Sequence, residues 1–287
     1  MTTNIGGHEG VGRIVKLGTG VSEDFIGKRV GIKWIYSSCG TCEICSVNPT
    51  ACSNQRNPGR DVPGSFQQYV VSPIQHLTKI PEQLSPSTVA PLLCAGLTMY
   101  SAIAKAGLKT GDWLVLPGAG GGLGHLGIQI AAKQGYRTIA VDAGSEKRRL
   151  CLELGATAFF DYTIDVVEAS VKALTSGYGA HAAICTASSF GAYKQSLEML
   201  RNLGTLVCIG LAVDDLPISP LDMIIRGVRV IGSSVGTEAE MQDLLSMALS
   251  GDVKPSVKSF NFEDIDMVLQ KLAKYQIAGR AVFQIPP

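Results

Sequence analysis

The stretch Pro117-Gly-Ala-Gly-Gly-Gly-Leu-Gly124 decides the fold of this 287-residue chain. It follows the apolar run Trp113–Leu116, which predicts a strand, and it leads into Leu123–Gln134, which predicts a helix. Glycines between a strand and a helix permit a tight turn. They also let a pyrophosphate approach the free N–H groups and the positive dipole end of the helix. The stretch therefore predicts a dinucleotide-binding turn.

An aspartate follows this turn at the spacing that is typical of nucleotide binding. The next predicted strand, Arg137–Val141, ends at Asp142, roughly 20 positions beyond the glycines. A carboxylate at that point accepts hydrogen bonds from both ribose hydroxyls and repels a 2′-phosphate. We therefore expect NAD rather than NADP as the coenzyme. The alternative is a glycine turn beside a solvent-facing aspartate.

Strand-like and helix-like segments alternate through the rest of this region. The further predicted strands are Ala158–Phe160, His181–Cys185, Thr205–Ile209 and Val228–Gly232. The predicted helices are Glu146–Leu154, Val166–Leu174 and Ala192–Leu200. Alternation at this spacing predicts an α/β fold with a doubly wound parallel sheet that is covered by helices on both faces.

Residues 1–80 carry a different pattern, rich in Gly, Val and Ile. The short runs Gly12–Leu17, Arg29–Trp34 and Gln67–Val71 are extended in character and predict a β-rich domain. Ser85-Pro86 predicts a helix start, because a capping hydroxyl precedes a proline in the first turn. Beyond Gly236 we expect two helices and a final strand, at Glu238–Leu249, Asp264–Tyr275 and Ala281–Ile285.

Four of the eight cysteines form a tight cluster, Cys39, Cys42, Cys45 and Cys52. Because intracellular enzymes rarely keep disulfides, such a cluster points to a metal. Zinc with four sulfur ligands is tetrahedral and closed to substrate, so the site predicted here is structural. A redox pair and chance are the alternatives.

The overall composition excludes several classes of partner. The formal net charge is +1 without any block of one sign, so neither nucleic acid nor an anionic membrane surface is expected. The first residues lack the apolar core of a signal peptide, and no apolar run approaches the roughly 18 residues of a membrane helix. We therefore expect a cytoplasmic protein.

Two further residue types suit a catalytic zinc, which commonly takes three Cys or His ligands and an exchangeable oxygen. His8 and Glu9 lie between glycines in Gly6-Gly-His8-Glu9-Gly10, and Cys94 lies far along the chain. Taken alone, His8 is better explained as a hydrogen-bonded surface histidine, and Cys94 as a buried apolar residue.

Taken together and in order, these motifs resemble the zinc-containing medium-chain alcohol dehydrogenases, and most of all their fungal, yeast-type tetrameric members. The segments that carry the resemblance are Gly6–Gly10, the cysteine loop, Gly64–Tyr69, Ala90–Gly96 and the glycine run. The resemblance implies a chaperonin-10-like β-barrel catalytic domain over 1–93, truncated at its N-terminus. It implies an NAD-binding Rossmann domain over 94–236, and C-terminal helices and a strand over 237–287 that return to the catalytic domain.

The implied activity is the reversible oxidation of a primary or secondary alcohol to an aldehyde or ketone, with NAD and zinc, in a homotetramer or homodimer. His8 and Cys94 would ligate the catalytic zinc, Glu9 would be a carboxylate able to approach it, and Trp34 would narrow the substrate pocket. The four clustered cysteines would hold the structural zinc. The residues implied at the coenzyme are Gly118, Gly120, Gly121, Gly122, Leu123, Gly124, Asp142, Lys147, Phe159, Ile209, Leu211, Ser233, Val235 and Arg280.

The sequence departs from the family pattern at two points. Family members carry a longer segment before the Gly-His-Glu-Gly motif, which supplies the first catalytic cysteine and the hydroxyl that starts the proton relay, whereas His8 here is close to Met1. The spacer Ser46–Ala51 is also one residue shorter than usual. With only His8 and Cys94 as ligands, we expect weak binding of the catalytic zinc and turnover well below that of full-length relatives.

Two other functions stay open at this point. One is a zinc-free medium-chain reductase of enones or quinones, which the cysteine loop and His8-Glu9 argue against. The other is a non-catalytic NAD-binding relative that keeps only the structural zinc. Zinc content separates the three hypotheses. The alcohol dehydrogenase requires two zinc ions per chain, the reductase requires none, and the non-catalytic relative requires one.

Overall fold

The computed structural model describes residues 3–216 and 218–286. The chain forms two compact units. The first comprises the residues up to Leu97, Val235–Gln276 and the residues from Arg280 onward, and the second comprises Thr98–Ser234 and Ile277–Gly279. The divisions at Leu97 and Ser234 lie close to the predicted domain boundaries, after residues 93 and 236.

The N-terminal part of the first unit contains a small antiparallel sheet. Its strands are β1 (Gly10–Arg13), β2 (Arg29–Ile32) and β3 (Thr78–Lys79), with β2 in the centre. The helices are α1 (Glu43–Val47), α2 (Pro86–Val89) and the start of α3 (Ala95–Ala106), and short 3-10 turns cover Glu23–Phe25, Pro49–Ala51, Ile74–His76 and Ala90–Leu92. As predicted, the Ser85 side chain caps α2 by accepting from the N–H of Thr88.

One strand prediction in this region is wrong. Residues 67–71 have no strand partner among the described residues, and the side chains of Tyr69 and Val71 are 72% and 85% exposed. The extended character of this short run was the signal for a strand there, and it does not specify a pairing partner. The run Gly12–Leu17 is also shorter than predicted, because β1 ends at Arg13.

The second unit is built on a six-stranded parallel sheet. Its strands are β4 (Trp113–Pro117), β5 (Arg137–Asp142), β6 (Ala158–Asp161), β7 (Ala180–Cys185), β8 (Leu200–Cys208) and β9 (Arg229–Gly232). Their order is β6-β5-β4-β7-β8-β9, and every neighbouring pair is parallel. This is the predicted doubly wound sheet, in which the strand order reverses between β4 and β7.

Helices connect these strands. They are α4 (Gly124–Lys133), α5 (Ser145–Glu153), α6 (Val167–Leu174), α7 (Phe190–Met199) and α8 (Pro220–Arg226). The sequence analysis missed α8, although Ser219 and Pro220 provide the same start signal as Ser85 and Pro86, and the Ser219 side chain accepts from the N–H of Asp222. The central strand β4 is buried along its whole length, as a parallel sheet with two covered faces requires.

The C-terminal part of the first unit contains α9 (Glu238–Leu249), β10 (Val257–Asn261), α10 (Ile265–Ala273) and β11 (Arg280–Gln284), with a 3-10 turn at Phe262–Asp264. Thr237 and Glu240 form a reciprocal capping box that begins α9 at the predicted residue. Strand β10, which the sequence analysis missed, pairs in parallel with β11.

The described helices include none that is by itself long and apolar enough to cross a membrane. The bent pair Pro86–Leu92 and Ala95–Ala106 is together long and apolar enough to do so when length and composition alone are considered.

A histidine lies at the amino end of the parallel sheet. Nδ1 of His181 accepts a hydrogen bond from the backbone N–H of Trp113 at 3.1 Å, and Nε2 lies 2.8 Å from Nη1 of Arg201 and 3.2 Å from Oδ1 of Asp112. Burial lowers the pKa of His181. The Asp112 carboxylate opposes this shift, and the positive charges of Arg201 and Arg137 reinforce it.

We expect His181 to make folding stability depend on pH. Because its pKa is lower in the folded state, its contribution is present above the ordinary histidine value of about 6.5 and is lost as the pH falls through the folded-state value. Urea unfolding of the wild type and of His181→Gln should show a steeper loss of stability in the wild type between about pH 8 and about pH 5.5. Parallel curves for the two proteins would contradict this role.

Candidate metal and coenzyme sites

The four clustered cysteines meet in one loop of the first unit. The loop is closed by an antiparallel bridge between Ser37 and Arg56. All four sulfur atoms lie within 4.8 Å of one another, with 3.7 Å between Cys39 and Cys45 and 3.6 Å between Cys39 and Cys52. A tetrahedral zinc with Zn–S bonds of about 2.3 Å requires sulfur atoms about 3.8 Å apart. The cluster therefore fits a structural zinc.

The polar surroundings favour the thiolate, which is the form that binds metal, at two of the four cysteines, whereas hydrogen bonds with the neighbouring cysteine sulfurs raise the pKa of Cys42 to about 11. Backbone N–H groups of Thr41 and Cys42 hydrogen-bond the Cys39 sulfur and lower its pKa to about 6. The Ser38 hydroxyl is the main cause of a lowered pKa at Cys45. All eight cysteines lie within the described residues, and none of them forms a disulfide.

The shortened spacer of this loop is regular. The side-chain oxygen of Asn48 accepts from the N–H of Thr50 at 3.0 Å and begins the 3-10 turn Pro49–Ala51, which leads directly to Cys52. Cys52 is only 1% exposed. The turn therefore places Cys52 in the cluster, although the spacer is one residue shorter than is usual in the family.

A close approach between two glycine-containing backbone segments positions His8. A Cβ atom on Gly64 would lie 2.2 Å from the carbonyl oxygens of both Gly6 and Gly7, so only glycine permits this approach. The two segments are joined by hydrogen bonds from the N–H of Gly64 to the oxygen of Ile5 at 2.8 Å and from the N–H of Phe66 to the oxygen of Gly6 at 3.0 Å. These contacts fix the backbone immediately before His8.

Glu9 links three distant parts of the first unit. Its Oε1 accepts a hydrogen bond at 3.0 Å from the N–H of Ala95, the first residue of α3, where the helix dipole favours a negative charge. Its Oε2 accepts from Nη2 of Arg280 in β11, and the side chains of both residues are largely buried. The hydrogen bond between Glu9 and Ala95 therefore joins the residues that directly follow His8 and Cys94. Both carboxylate oxygens of Glu9 are engaged in these contacts.

His8 also contacts Trp34. The two ring centroids lie 4.9 Å apart in an edge-to-face arrangement, with 74° between the planes. Burial lowers the pKa of His8, while Glu9 opposes this shift and Arg280 adds to it. A neutral imidazole is the form that binds metal.

Within residues 3–216 and 218–286, only the four-cysteine cluster brings three or more metal-binding side chains close enough to share one ion. His8, Glu9 and Cys94 supply suitable donor types, but they do not form such a group, because the Glu9 carboxylate is held by Ala95 and Arg280. Their role as ligands of a catalytic zinc stays a prediction.

The glycine run connects β4 to α4 at the point where the strand order reverses. Gly118 has a φ of +83°, and a Cβ atom there would lie 2.4 Å from Oγ1 of Thr186. A Cβ atom on Gly124 would lie 2.4 Å from the oxygen of Gly118. Thr186, which the sequence analysis missed, follows β7 and donates to the oxygen of Pro117 at 2.8 Å. The turn is therefore tight enough for a phosphate to reach backbone N–H groups.

The Asp142 carboxylate lies directly under this turn and is only 4% exposed. Its Oδ2 accepts from the N–H of Gly120 at 2.9 Å, and its Oδ1 accepts from the N–H of Ala143 and from Nζ of Lys147, both at 2.8 Å. A carboxylate offers about four lone-pair sites, so these three bonds leave about one for a ribose hydroxyl. The predicted pair of Asp142 and Lys147 is therefore assembled at the turn.

The other residues predicted at the coenzyme are distributed over both units. Phe159, Ile209, Leu211 and Ser233 belong to the second unit, and Val235 and Arg280 belong to the first. Phe159 is buried, Leu211 is exposed, and the Ser233 hydroxyl accepts from Nζ of Lys105 at 2.9 Å. Their contact with a coenzyme stays a prediction.

Comparison with known proteins places these features in a family. The family model for the alcohol dehydrogenase GroES-like domain matches residues 2–82, and that for zinc-binding dehydrogenases matches 122–250. An alcohol dehydrogenase of Geobacillus stearothermophilus is 41% identical over 284 residues, which are 98% of this chain and 82% of the relative.

Solved structures give the same result. An alcohol dehydrogenase from the archaeon Aeropyrum pernix superposes with a TM-score of 0.90 at 31% identity and covers 97% of this chain and 82% of its own. An acetophenone reductase from Geotrichum candidum, solved in complex with NAD, superposes with a TM-score of 0.86 at 27% identity and covers 96% of this chain and 80% of its own.

We expect Cys45→Ser to release about one zinc ion per chain and to lower the Tm, because the bound metal stabilises the folded loop. Ser46→Ala is a matched control in the same helix, since the Ser46 hydroxyl donates to the backbone oxygen of Glu43 at 2.6 Å. Metal analysis and thermal unfolding of the three proteins provide the measurement. Full zinc content in Cys45→Ser would rule out this cluster as the structural site.

Proposed function

This chain belongs to the zinc-containing medium-chain alcohol dehydrogenases, and on that premise we propose that it oxidises an alcohol to an aldehyde or ketone with hydride transfer to NAD. The observation that carries the proposal is the Asp142 carboxylate, held under the glycine turn by Gly120 and Lys147. An alcohol dehydrogenase that is 41% identical and a structural relative solved with NAD support the same function. A homotetramer or homodimer is part of this proposal.

The residues of the second unit bind and orient the coenzyme in this proposal. The N-terminus of α4 receives the pyrophosphate. Asp142 accepts from the adenosine ribose, and Lys147 fixes the direction of that carboxylate through its bond to Oδ1. NAD held by these residues would supply the hydride acceptor, and a zinc ion would favour the ionised form of the alcohol.

The residues of the first unit form the proposed alcohol site. His8 and Cys94 are the proposed zinc ligands, and Trp34 limits the space beside His8. Glu9 keeps the segments that carry these ligands together through Ala95 and Arg280, and its negative charge remains balanced by the Arg280 guanidinium.

A second candidate function is a non-catalytic NAD-binding protein with one structural zinc. It is favoured by the finding that the described residues contain one group of three or more metal donors, the cysteine cluster. One zinc ion per chain together with tight NAD binding and no turnover would support it. The zinc-free reductase is disfavoured by the same cluster and by the zinc-binding family model.

We expect the purified protein to form NADH from a small primary alcohol, and His8→Gln to reduce this rate by about tenfold or more while removing the second zinc ion. His76→Gln is the control, because His76 lies in the 3-10 turn Ile74–His76 and is not a proposed zinc ligand. NADH absorbance and zinc content per chain provide the readouts. Equal activity in His8→Gln and His76→Gln would exclude His8 from the site.

The coenzyme preference tests Asp142. We expect Asp142→Gly to weaken NADH binding by about tenfold or more, the size expected for lost hydrogen bonds to a charged group. Asp142→Asn separates hydrogen bonding to the ribose from charge repulsion, because an amide oxygen accepts from a hydroxyl without repelling a 2′-phosphate. Titration with NADH and NADPH should therefore show a smaller NADH loss and improved NADPH binding in Asp142→Asn. Tighter NADPH than NADH binding by the wild type would disprove the assignment.

A further inference from the structure

A short loop of the first unit, residues 57–62, is fixed to the segment that carries Trp34. Asn57 is fully buried, and its side-chain amide donates to the backbone oxygen of Trp34 at 2.8 Å. The backbone oxygen of Asn57 accepts from the N–H groups of Arg60, Asp61 and Val62 at 3.3, 2.9 and 3.3 Å. These bonds give the 57–62 loop one compact conformation beside Trp34.

The same loop packs against the residue before His8. Gly59 has a φ of +75°, and a Cβ atom there would lie 2.9 Å from the backbone nitrogen of Gly7. The N–H of Gly59 donates to the oxygen of Val62 at 2.9 Å. The 57–62 loop is therefore anchored both on Trp34 and beside His8, which are the two residues assigned to the alcohol site.

Arg60 projects from this loop over the indole of Trp34. Its guanidinium carbon lies 5.5 Å from the ring centroid, within the range of a cation–π contact. The Asp61 carboxylate accepts from Nε of Arg60 at 3.1 and 3.2 Å and from Nη2 at 3.0 Å, which fixes the plane of the guanidinium. The same hydrogen bonds are the main cause of a lowered pKa at Asp61. The Trp34 ring is thus contacted by Arg60 as well as by His8.

We propose that Arg60 determines the size of the alcohol that this protein accepts, by holding the Trp34 indole against His8. The inference rests on the proposed function, in which Trp34 limits the space for the substrate. Arg60 is a positioning residue, because it acts through the indole. Without the guanidinium, the indole loses its cation–π contact and samples other rotamers, which widens the site for longer or branched alcohols.

The test compares Arg60→Gln, Arg60→Lys and the control Arg56→Gln. Arg56 lies in the adjoining segment and donates to the backbone oxygen of Asp61. We expect Arg60→Gln to shift the ratio of kcat/KM for a branched alcohol over ethanol about two- to fivefold toward the branched alcohol, the size expected of one cation–π contact. The change should arise mainly in KM. Arg60→Lys, which keeps the cation, should recover part of the wild-type ratio, and Arg56→Gln should match the wild type.

A second readout does not depend on turnover. The chain has two tryptophans, so emission in a Trp113→Phe background reports Trp34 alone. We expect Arg60→Gln to increase acrylamide quenching of Trp34, whereas Arg56→Gln should leave it unchanged.

The two readouts separate the possible failures. No turnover of any alcohol by the wild type would overturn the proposed function. Unchanged Trp34 quenching in Arg60→Gln would overturn the inference about Arg60, whatever the activity. Increased quenching with an unchanged preference for alcohol size would also overturn it, because the indole would then move without affecting the substrate.

Discussion

Close approaches of backbone to backbone set the geometry of the sites in both units. Gly118 and Gly124 meet in the second unit, and Gly64 meets Gly6 and Gly7 in the first, at separations that leave no room for a Cβ atom. The first approach brings the N–H of Gly120 onto Asp142. The second fixes the chain before His8. Each site therefore depends on positions where a side chain is sterically forbidden, and its polar residues are placed by those positions.

Features that are local in sequence were predictable. The helices and strands around the glycine run lie within a few residues of their predicted bounds, because apolar periodicity and glycine turns act over short distances. The cysteine cluster was predictable for the same reason, since its four ligands lie on one loop. The strand predicted at 67–71 was wrong, because a strand also needs a partner, and a short run of extended character does not identify one.

Features that join distant segments were not predictable from the residues alone. Arg280 was predicted as a coenzyme contact, and Glu9 as a carboxylate near a metal, yet the two are bonded to each other across 271 positions. Nothing in either local sequence signals this pair. Thr186 and the 57–62 loop were missed for the same reason, because their significance depends on the neighbours that the fold supplies.

The discontinuity of the first unit has a consequence for biosynthesis. The second unit is nearly one continuous stretch and is able to fold while the ribosome is still translating the C-terminal residues. The first unit has to wait, because β10 pairs with β11, and both strands follow the main stretch of the second unit in the chain. Glu9, which precedes that stretch, therefore remains without its guanidinium partner until Arg280 has been translated, so the segment that carries His8 is completed only after the main stretch of the second unit.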